Sequence, residues 1–158
     1  MLVVAVADMA ASNDVGAELV TYSLGSCLGI TAYDPFTRAG ALLHLMLPDS
    51  SINPAKAATA PYMFVDTGVP RLFEAIYHLG AQRRRLVVKV AGGAQFLDHG
   101  GVFNIGERNY AALRALLTAN GYALNAVDVG GYSSRTLRLE LATGKVTIQN
   151  PGSPPRLL

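Results

Sequence analysis

The 158-residue chain has one cysteine, no tryptophan and only 15% charged residues. A single cysteine excludes an internal disulfide and a thiolate metal cluster, so Cys27 is a buried apolar residue, a reactive thiol or a residue without a role. No apolar run approaches the roughly 20 residues of a membrane span, so we expect no membrane insertion. The mean hydropathy of +0.29 excludes a disordered chain, because so apolar a sequence must bury its side chains.

Length and charge set the domain count and exclude some partners. At about 150 residues per domain, we predict one domain over residues 1–149 and an extended, proline-rich tail over 150–158. The net charge is only +2, and the one basic run, residues 83–85, is predicted to end an element at the surface. A nucleic-acid groove binder needs a wider basic face, so we expect no nucleic-acid partner. The N-terminal residues show no basic leader or cleavage signature, which predicts a cytoplasmic protein.

Hydrophobic patterning predicts a mixed α/β domain. Strands are expected at residues 2–7, 18–24, 28–33, 41–47, 86–91, 122–129, 136–141 and 145–149. Apolar residues at helical spacing predict one helix over residues 62–79, either kinked near Pro70 or restarted at Thr67. A second helix is expected from Asn104, as N-cap with Glu107 as its capping-box partner, to Gly121. Residues 48–60 are expected to form an exposed loop, and Thr143-Gly144 a hairpin turn. Consecutive strands at both ends exclude a simple alternating βαβ sheet and favour two sheets with helices on one side.

The sequence GSCLG at residues 25–29 has the form of a nucleophile elbow with Cys27 in the serine position. An elbow needs a helix directly after the nucleophile, whereas residues 28–33 are strand-like, so the confirming context is missing. Small residues on both sides of Cys27 nevertheless leave room for a substrate and for loop N–H groups that could hold an oxyanion. A free thiol is only about 3% ionised at neutral pH, so a working nucleophile there needs a base.

His44 is the best candidate for that base. It stands alone in an otherwise apolar strand, where a polar ring must find a partner or lie at a site. The alternatives are a hydrogen-bonded core histidine at this position and a merely buried Cys27. The other histidines, His78 at a helix end and His99 in a glycine-rich loop with Asp98, lack the short spacing of a metal site, so we expect no metal and no cofactor. The glycine pairs at residues 92–93, 100–101 and 130–131 match no phosphate-binding motif and are expected to form turns.

Taken together, these segments resemble the CheD family of chemoreceptor glutamine deamidases over roughly residues 17–149. The paired segments LGSC and HxMLP carry most of the specificity, and the matching runs follow the order of the family. These runs are TYSLGSC at 21–27, YDP at 33–35, HLMLP at 44–48, GA at 80–81, KVAGGA at 89–94, NIGERN at 104–109 and DVGG at 128–131.

The resemblance implies a catalytic cysteine at Cys27, a general base at His44 and a supporting threonine at Thr21. It also implies a layered α/β/β sandwich of mixed sheets, like the cysteine hydrolases of the cytotoxic-necrotizing-factor type. The implied reaction is hydrolysis of glutamine side chains, with release of ammonia, and of glutamate methyl esters on methyl-accepting chemotaxis receptors. Departures from the family pattern at Leu45, Ala91 and Ser134 bear on the substrate groove and the partner surface.

The family mechanism makes His44 take the proton of the Cys27 thiol, and we expect Thr21 to orient the imidazole. A fall of about 2.5 in the thiol pKa would make the thiolate dominant, at about 3.4 kcal/mol of differential stabilisation. The alternative function is a non-catalytic adaptor that binds receptors or a CheC-family phosphatase. A third alternative, a thiol-based redox protein, is disfavoured because the chain has no second cysteine to resolve an oxidised thiol.

Overall fold

The computed structural model describes residues 1–95 and 104–158. The strands are β1 Leu2–Val3, β2 Asp8–Ser12, β3 Glu18–Leu24, β4 Leu28–Tyr33, β5 Gly40–Leu45, β6 Val87–Gly92, β7 Ala126–Val129, β8 Arg135–Glu140, β9 Val146–Gln149 and β10 Arg156–Leu157. The α-helices are α1 Pro54–Thr59, α2 Val65–His78 and α3 Ile105–Ala119, and short 3-10 turns lie at Ser50–Ile52, Pro61–Met63 and Arg83–Arg85.

The strands form two mixed sheets in three layers. The central sheet has the order β2-β5-β4-β6-β7 and the outer sheet the order β1-β3-β8-β9-β10. Each contains one parallel pair, β6 with β7 and β1 with β3. Every residue of β4 and β5 is buried, because one face of the central sheet packs on α2 and α3 and the other on the outer sheet. This arrangement confirms the predicted α/β/β sandwich.

Several predicted elements are confirmed. The strands predicted at residues 18–24 and 28–33 coincide with β3 and β4. Those predicted at 86–91 and 136–141 are shifted by one residue from β6 and β8, and the one predicted at 145–149 starts one residue before β9. Gly144, at a φ of 77°, forms the predicted turn between β8 and β9, and Gly121, at 72°, follows the end of α3. The glycine pairs at 92–93 and 130–131 all have positive φ, as expected of turns.

Other predictions were wrong in extent. The single strand expected over residues 2–7 is the exposed two-residue β1, and β2 starts after Ala7, whose φ of 57° breaks the extended chain. Strand β5 ends at Leu45 because Met46 and Leu47 instead donate backbone hydrogen bonds to the carbonyl of Met63. The strand predicted at 122–129 shortens to β7, Ala126–Val129.

The predicted loop over residues 48–60 contains α1. The side chain of Asn53 accepts a hydrogen bond from the Lys56 amide, and Pro54 occupies the first helical position, two start signals that the sequence prediction overlooked. Helix α2 continues through Pro70, so it does not restart at Thr67. Pro70 has no backbone N–H to donate to the carbonyl of Asp66. Asp66 is exposed in the first turn of the helix, so water can donate to this carbonyl instead.

The capping box predicted at Asn104 was wrong. Asn104 precedes α3, but its φ of 41° is left-handed and its side chain makes no capping hydrogen bond. Its amide oxygen instead accepts a hydrogen bond from Gln95 Nε2 at 2.8 Å.

The C-terminal residues 150–158 begin with a turn, in which Ser153 donates to the Asn150 carbonyl at 3.1 Å and Gly152 has a φ of 74°, and they include the short strand β10. Within them, β10 pairs with β9, and the Leu158 carbonyl accepts a hydrogen bond from Lys89 Nζ at 2.8 Å. The division into a domain over residues 1–149 and a tail stays a prediction. Across residues 1–95 and 104–158, no helix has the length and apolar character that crossing a bilayer requires.

Candidate active site

His44 and Thr21 meet between the two sheets. His44 lies on β5 of the central sheet and is 1% exposed, and Thr21 lies on β3 of the outer sheet and is fully buried. The imidazole Nδ1 and the Thr21 Oγ1 are 2.7 Å apart. Side chains on alternate residues of a strand share a face, and this alternation turns both groups into the space between the sheets. The structure therefore joins two of the three predicted site residues by a hydrogen bond.

The direction of this hydrogen bond follows from the second partner of Thr21. Its hydroxyl donates to the Val4 carbonyl at 2.7 Å. A hydroxyl carries one proton, so Oγ1 must accept from His44, and Nδ1 must carry the proton. The neutral ring then has its lone pair on Nε2. The sequence held no signal for this contact, because a backbone carbonyl can come from any residue type.

The free nitrogen of His44 is an unpaired acceptor. Nε2 is buried and has no hydrogen-bond partner among the described residues. Burial lowers the pKa of His44 to about 4, because the charged imidazolium loses its hydration there. At neutral pH the ring is therefore uncharged, and Nε2 can accept a proton from a group brought next to it.

Cys27 lies at the turn between β3 and β4. Its side chain is partly exposed and packs against the apolar cluster between the sheets. Burial raises the pKa of the thiol, and the backbone N–H of Cys27 itself offsets this only in part. Burial thus opposes the fall in the thiol pKa that would make the thiolate dominant. Burial is the largest influence on the pKa of both groups, and it keeps the thiol and the imidazole uncharged at neutral pH.

The strand register relates Cys27 to His44. His44 pairs directly with Gly29 of β4, and Cys27 stands two residues before Gly29, on the same face of the sheet. Cys27 itself lies just outside β4, so strand pairing does not by itself set the distance between its thiol and the imidazole. No hydrogen bond joins the thiol to Nε2. Gly29 has no side chain, and a Cβ there would lie 2.7 Å from a Leu137 methyl group and 2.9 Å from a Leu24 methyl group, so both leucine side chains would have to shift to admit a larger residue.

A glycine turn holds the backbone of Cys27. The Cys27 carbonyl accepts a hydrogen bond from the Gly93 amide at 2.8 Å, and the Gly25 carbonyl accepts one from Ala94 at 2.8 Å. At Gly92, where φ is 116°, an added Cβ would lie 2.2 Å from the Cys27 carbonyl oxygen. The turn at residues 92–94 thus fixes the segment that carries the thiol, a role beyond the simple turn that the sequence predicted.

Substitution of Gly92 by alanine should therefore destabilise the protein. We expect a loss of roughly 2–4 kcal/mol in the free energy of unfolding, from left-handed strain and from the clash with Cys27. Gly130→Ala is the matched control, because its φ is 88° but its added Cβ would have nothing within 4 Å. Urea denaturation of both variants measures the difference. Equal losses would show that the clash contributes nothing.

Arg135 supports the same turn from the outer sheet, a contact that the sequence did not indicate. Its guanidinium donates to the Gly92 carbonyl at 3.1 Å and the Gly130 carbonyl at 2.8 Å. The guanidinium also forms an ion pair with Asp128 at 2.9 Å, and the Arg135 side chain is only 7% exposed. The hydrogen bonds from Arg156 and Arg135 hold the pKa of Asp128 below its usual value, although burial opposes them.

Of the remaining candidate residues, the structure describes His78 and the basic run at residues 83–85. His78 is exposed at the end of α2. His99, Asp98 and the glycine pair at 100–101 lie outside the described residues. In the parts of the chain that the structure describes, no group of three or more His, Cys, Asp or Glu side chains could hold a metal ion. Of the basic run, Arg83 and Arg84 are exposed and Arg85 pairs with the buried Asp34 at 2.9 Å.

The buried imidazole predicts an acid sensitivity of folding. The pKa of His44 is about 4 in the folded protein and about 6.5 in an unfolded chain. Between these values the unfolded state binds more protons, so stability rises with pH and falls as pH drops from about 6.5 to 4, by about 3 kcal/mol in total. The carboxyl of Asp34, with a pKa of about 2, loses its contribution only below this window.

Denaturant unfolding of the wild type and of His44→Gln, between pH 7 and pH 4, measures this contribution. The glutamine variant has no titrating group at this position, so its stability should fall less across the window. Parallel curves for the two proteins would contradict the prediction.

Comparison with known proteins gives a consistent result. A family model described as CheD chemotactic sensory transduction matches residues 46–150. A Syntrophus aciditrophicus protein named "Probable chemoreceptor glutamine deamidase CheD 1" is 48% identical over 157 residues, covering 99% of this chain and 98% of that protein. One from Solibacter usitatus, named "Probable chemoreceptor glutamine deamidase CheD", is 46% identical over 157 residues, covering 99% and 93%.

A third relative, from Anaeromyxobacter dehalogenans, is named "Probable chemoreceptor glutamine deamidase CheD 2". It is 46% identical over 150 residues, covering 95% of this chain and 94% of its own. Among solved structures, the Neisseria meningitidis protein NMB0706 aligns with 84% of this chain and 64% of its own, at 11% identity and a TM-score of 0.45.

Proposed function

This chain belongs to the CheD family, and we propose that Cys27 is the nucleophile, His44 the general base and Thr21 the residue that orients the base in its reaction. As a member of that family it is a chemoreceptor glutamine deamidase, a hydrolase that converts glutamine side chains on chemoreceptors. Each conversion replaces a neutral amide by a carboxylate, which changes the local electrostatics of the receptor.

The acylation half of the reaction uses the thiol and the unpaired ring nitrogen. His44 Nε2 takes the thiol proton as the sulfur attacks the amide carbon, which forms a carbon–sulfur bond and a tetrahedral oxyanion. The N–H groups of the loop at Ser26 and Cys27 hold that oxyanion. Nε2 then returns the proton to the amide nitrogen, the carbon–nitrogen bond breaks, and ammonia leaves a thioester on Cys27.

The deacylation half consumes water. His44 Nε2 removes a proton from a water molecule that attacks the thioester carbon, and the carbon–sulfur bond breaks. The proton returns to the sulfur, and the glutamate side chain leaves as a carboxylic acid that ionises in solution. A glutamate methyl ester would follow the same route with methanol as the leaving group, so we include esters in the proposed substrate range.

One observation carries this proposal: the buried Nε2 of His44 is held as an acceptor by the chain of hydrogen bonds from Nδ1 to Thr21 to the Val4 carbonyl. The same burial that lowers the pKa of His44 makes its protonated form a strong acid, which suits protonation of a poor leaving group such as an amide nitrogen. Because burial also raises the thiol pKa, proton removal should accompany attack on the amide carbon and not precede it.

We include a cytoplasmic location and a CheC-family phosphatase partner in the proposal. A catalytic thiol must stay reduced, and the cytoplasm keeps thiols reduced. The phosphatase partner follows from the family resemblance alone. The alternative, a non-catalytic adaptor for receptors or for such a phosphatase, needs neither the thiol nor the imidazole.

A mass-shift assay tests the proposal. Purified chemoreceptor is incubated with the protein, and each converted glutamine adds one dalton and releases one ammonia. Because Cys27 is the single cysteine of the chain, prior treatment with iodoacetamide gives a matched control blocked at one thiol. We expect conversion by the untreated protein and none by the treated one. Receptor binding without any conversion by the untreated protein would favour the adaptor.

A further inference from the structure

Asn109 of α3 connects the two segments that carry the proposed nucleophile and base. It is fully buried, and its Nδ2 donates to the Ser26 carbonyl at 3.0 Å and to the Met46 carbonyl at 2.9 Å. Ser26 directly precedes Cys27, and Met46 follows His44 by two residues. One amide group thus bonds to both backbones beside the site.

These bonds stand where the strand pairing stops. The ladder between β4 and β5 ends at the pair Leu28 and Leu45. Beyond that pair the two backbones part, since the turn at Gly25 and Cys27 bonds to residues 93–94 and Met46 bonds to Met63. Sheet hydrogen bonds therefore do not fix the distance between the segments at the site. The two bonds from Asn109 bridge the gap instead.

Helix α3 packs closely against the turn at residues 92–94, which holds Cys27. An added Cβ at Gly106, one turn before Asn109, would lie 2.5 Å from the Gly93 carbonyl and 2.6 Å from the Ala94 carbonyl. Gly93 and Ala94 in turn donate the hydrogen bonds to the carbonyls of Cys27 and Gly25. The close packing of α3 on residues 93–94 and the hydrogen bond from Asn109 thus both constrain the loop at residues 25–27.

We propose that Asn109 is a positioning residue that sets the separation of the Cys27 thiol from His44 Nε2. It touches no reacting atom and acts through the backbone carbonyls of Ser26 and Met46. The inference rests on the proposed roles of Cys27 and His44. The Oδ1 of Asn109 is buried and has no hydrogen-bond partner within residues 1–95 and 104–158, a cost that the fold carries to keep the two donors of this amide in place.

A double-mutant cycle tests the inference on the thiol itself. The second-order rate constant for alkylation of Cys27 by iodoacetamide is measured in wild type, Asn109→Leu, His44→Ala and the double variant. We expect Asn109→Leu to lower the rate constant about tenfold with His44 present and less than twofold with His44 absent, because the separation matters only when the base is there. Equal effects in both backgrounds, or no effect in either, would overturn the inference.

Controls separate positioning from loss of stability. Leu117→Ala removes buried side-chain atoms from the same helix without touching Ser26 or Met46, and it should leave the rate constant within twofold of wild type. If Asn109→Leu does not fold, Asn109→Ser takes its place, because water can enter the smaller site and solvate the two carbonyls without fixing their separation. The same direction of change is expected.

The receptor assay adds a second readout. Asn109→Leu should lower kcat about tenfold and leave KM within twofold, since receptor contacts are unchanged. If wild type converts receptor glutamines and the alkylation cycle shows no coupling, the role of Asn109 fails and the deamidase mechanism stands. If wild type converts none, the proposed function fails, and the alkylation cycle still decides whether Asn109 couples Cys27 to His44.

Discussion

Replacement of Cys27 by alanine should leave every receptor glutamine unconverted while receptor binding persists. The side chain is partly exposed at the end of a turn, and its removal leaves the hydrogen bonds of the Cys27 carbonyl intact. Loss of the nucleophile from a hydrolase leaves only substrate binding and oxyanion stabilisation, so we expect conversion to fall by about 10⁴-fold or more. Mass spectrometry of the receptor measures the conversion, and co-purification with the receptor measures binding.

Cys27→Ser sharpens this test, because it changes only the attacking atom. A hydroxyl holds its proton far more tightly than a thiol, and a base whose pKa is about 4 cannot remove it efficiently. The serine variant should therefore be nearly as inactive as the alanine variant. Conversion within tenfold of wild type by either variant would contradict a cysteine nucleophile.

The elements that were predicted correctly are those that are determined by the sequence pattern of neighbouring residues. Strands β3 and β4 are rich in residues that favour strands, and the small residues Gly25-Ser26-Cys27 separate them, so the prediction found both ends. The N-terminal residues are just as apolar, yet most of them are exposed at a sheet edge. The break at Ala7 depends on a left-handed backbone conformation that an alanine in the sequence does not indicate. Strand β10 forms because residues 156–157 pair with β9 of the outer sheet, and the local sequence does not indicate this long-range pairing.

The site could be predicted only in part, for a similar reason. Cys27 and His44 stood out because each is chemically unusual in its own segment. Thr21 came from the family resemblance alone, since a threonine in a strand is ordinary. Asn109 makes its bond to Ser26 across 83 positions of the chain, and its partners are backbone carbonyls without a sequence signature. The direction of the thiol pKa shift depends on burial in three dimensions, which motif analysis does not measure.

His44→Gln should lower kcat by about 10³-fold and leave KM for the receptor nearly unchanged. Glutamine has a similar reach and can still donate a hydrogen bond to Thr21, but it offers no nitrogen that accepts and returns a proton. Removal of a general base costs about 10²–10⁴-fold in rate. Because burial keeps the thiol of Cys27 protonated, little preformed thiolate exists to replace the base, which places the expected loss in the upper half of that range.

Thr21→Val is the matched comparison for His44→Gln, since it keeps the imidazole and removes only the hydroxyl that is hydrogen-bonded to Nδ1. Without that hydroxyl the ring can carry its proton on Nε2, the tautomer that cannot accept from Cys27. We expect an intermediate loss of about 10–100-fold, within the range for a positioned acid or base, so that activity falls in the order wild type, Thr21→Val, His44→Gln. Single-turnover kinetics on the receptor measure all three proteins. Activity of His44→Gln within tenfold of wild type would contradict the role of the imidazole. A loss in Thr21→Val as large as in His44→Gln would mean that an imidazole without its hydrogen bond to Thr21 contributes almost no catalysis.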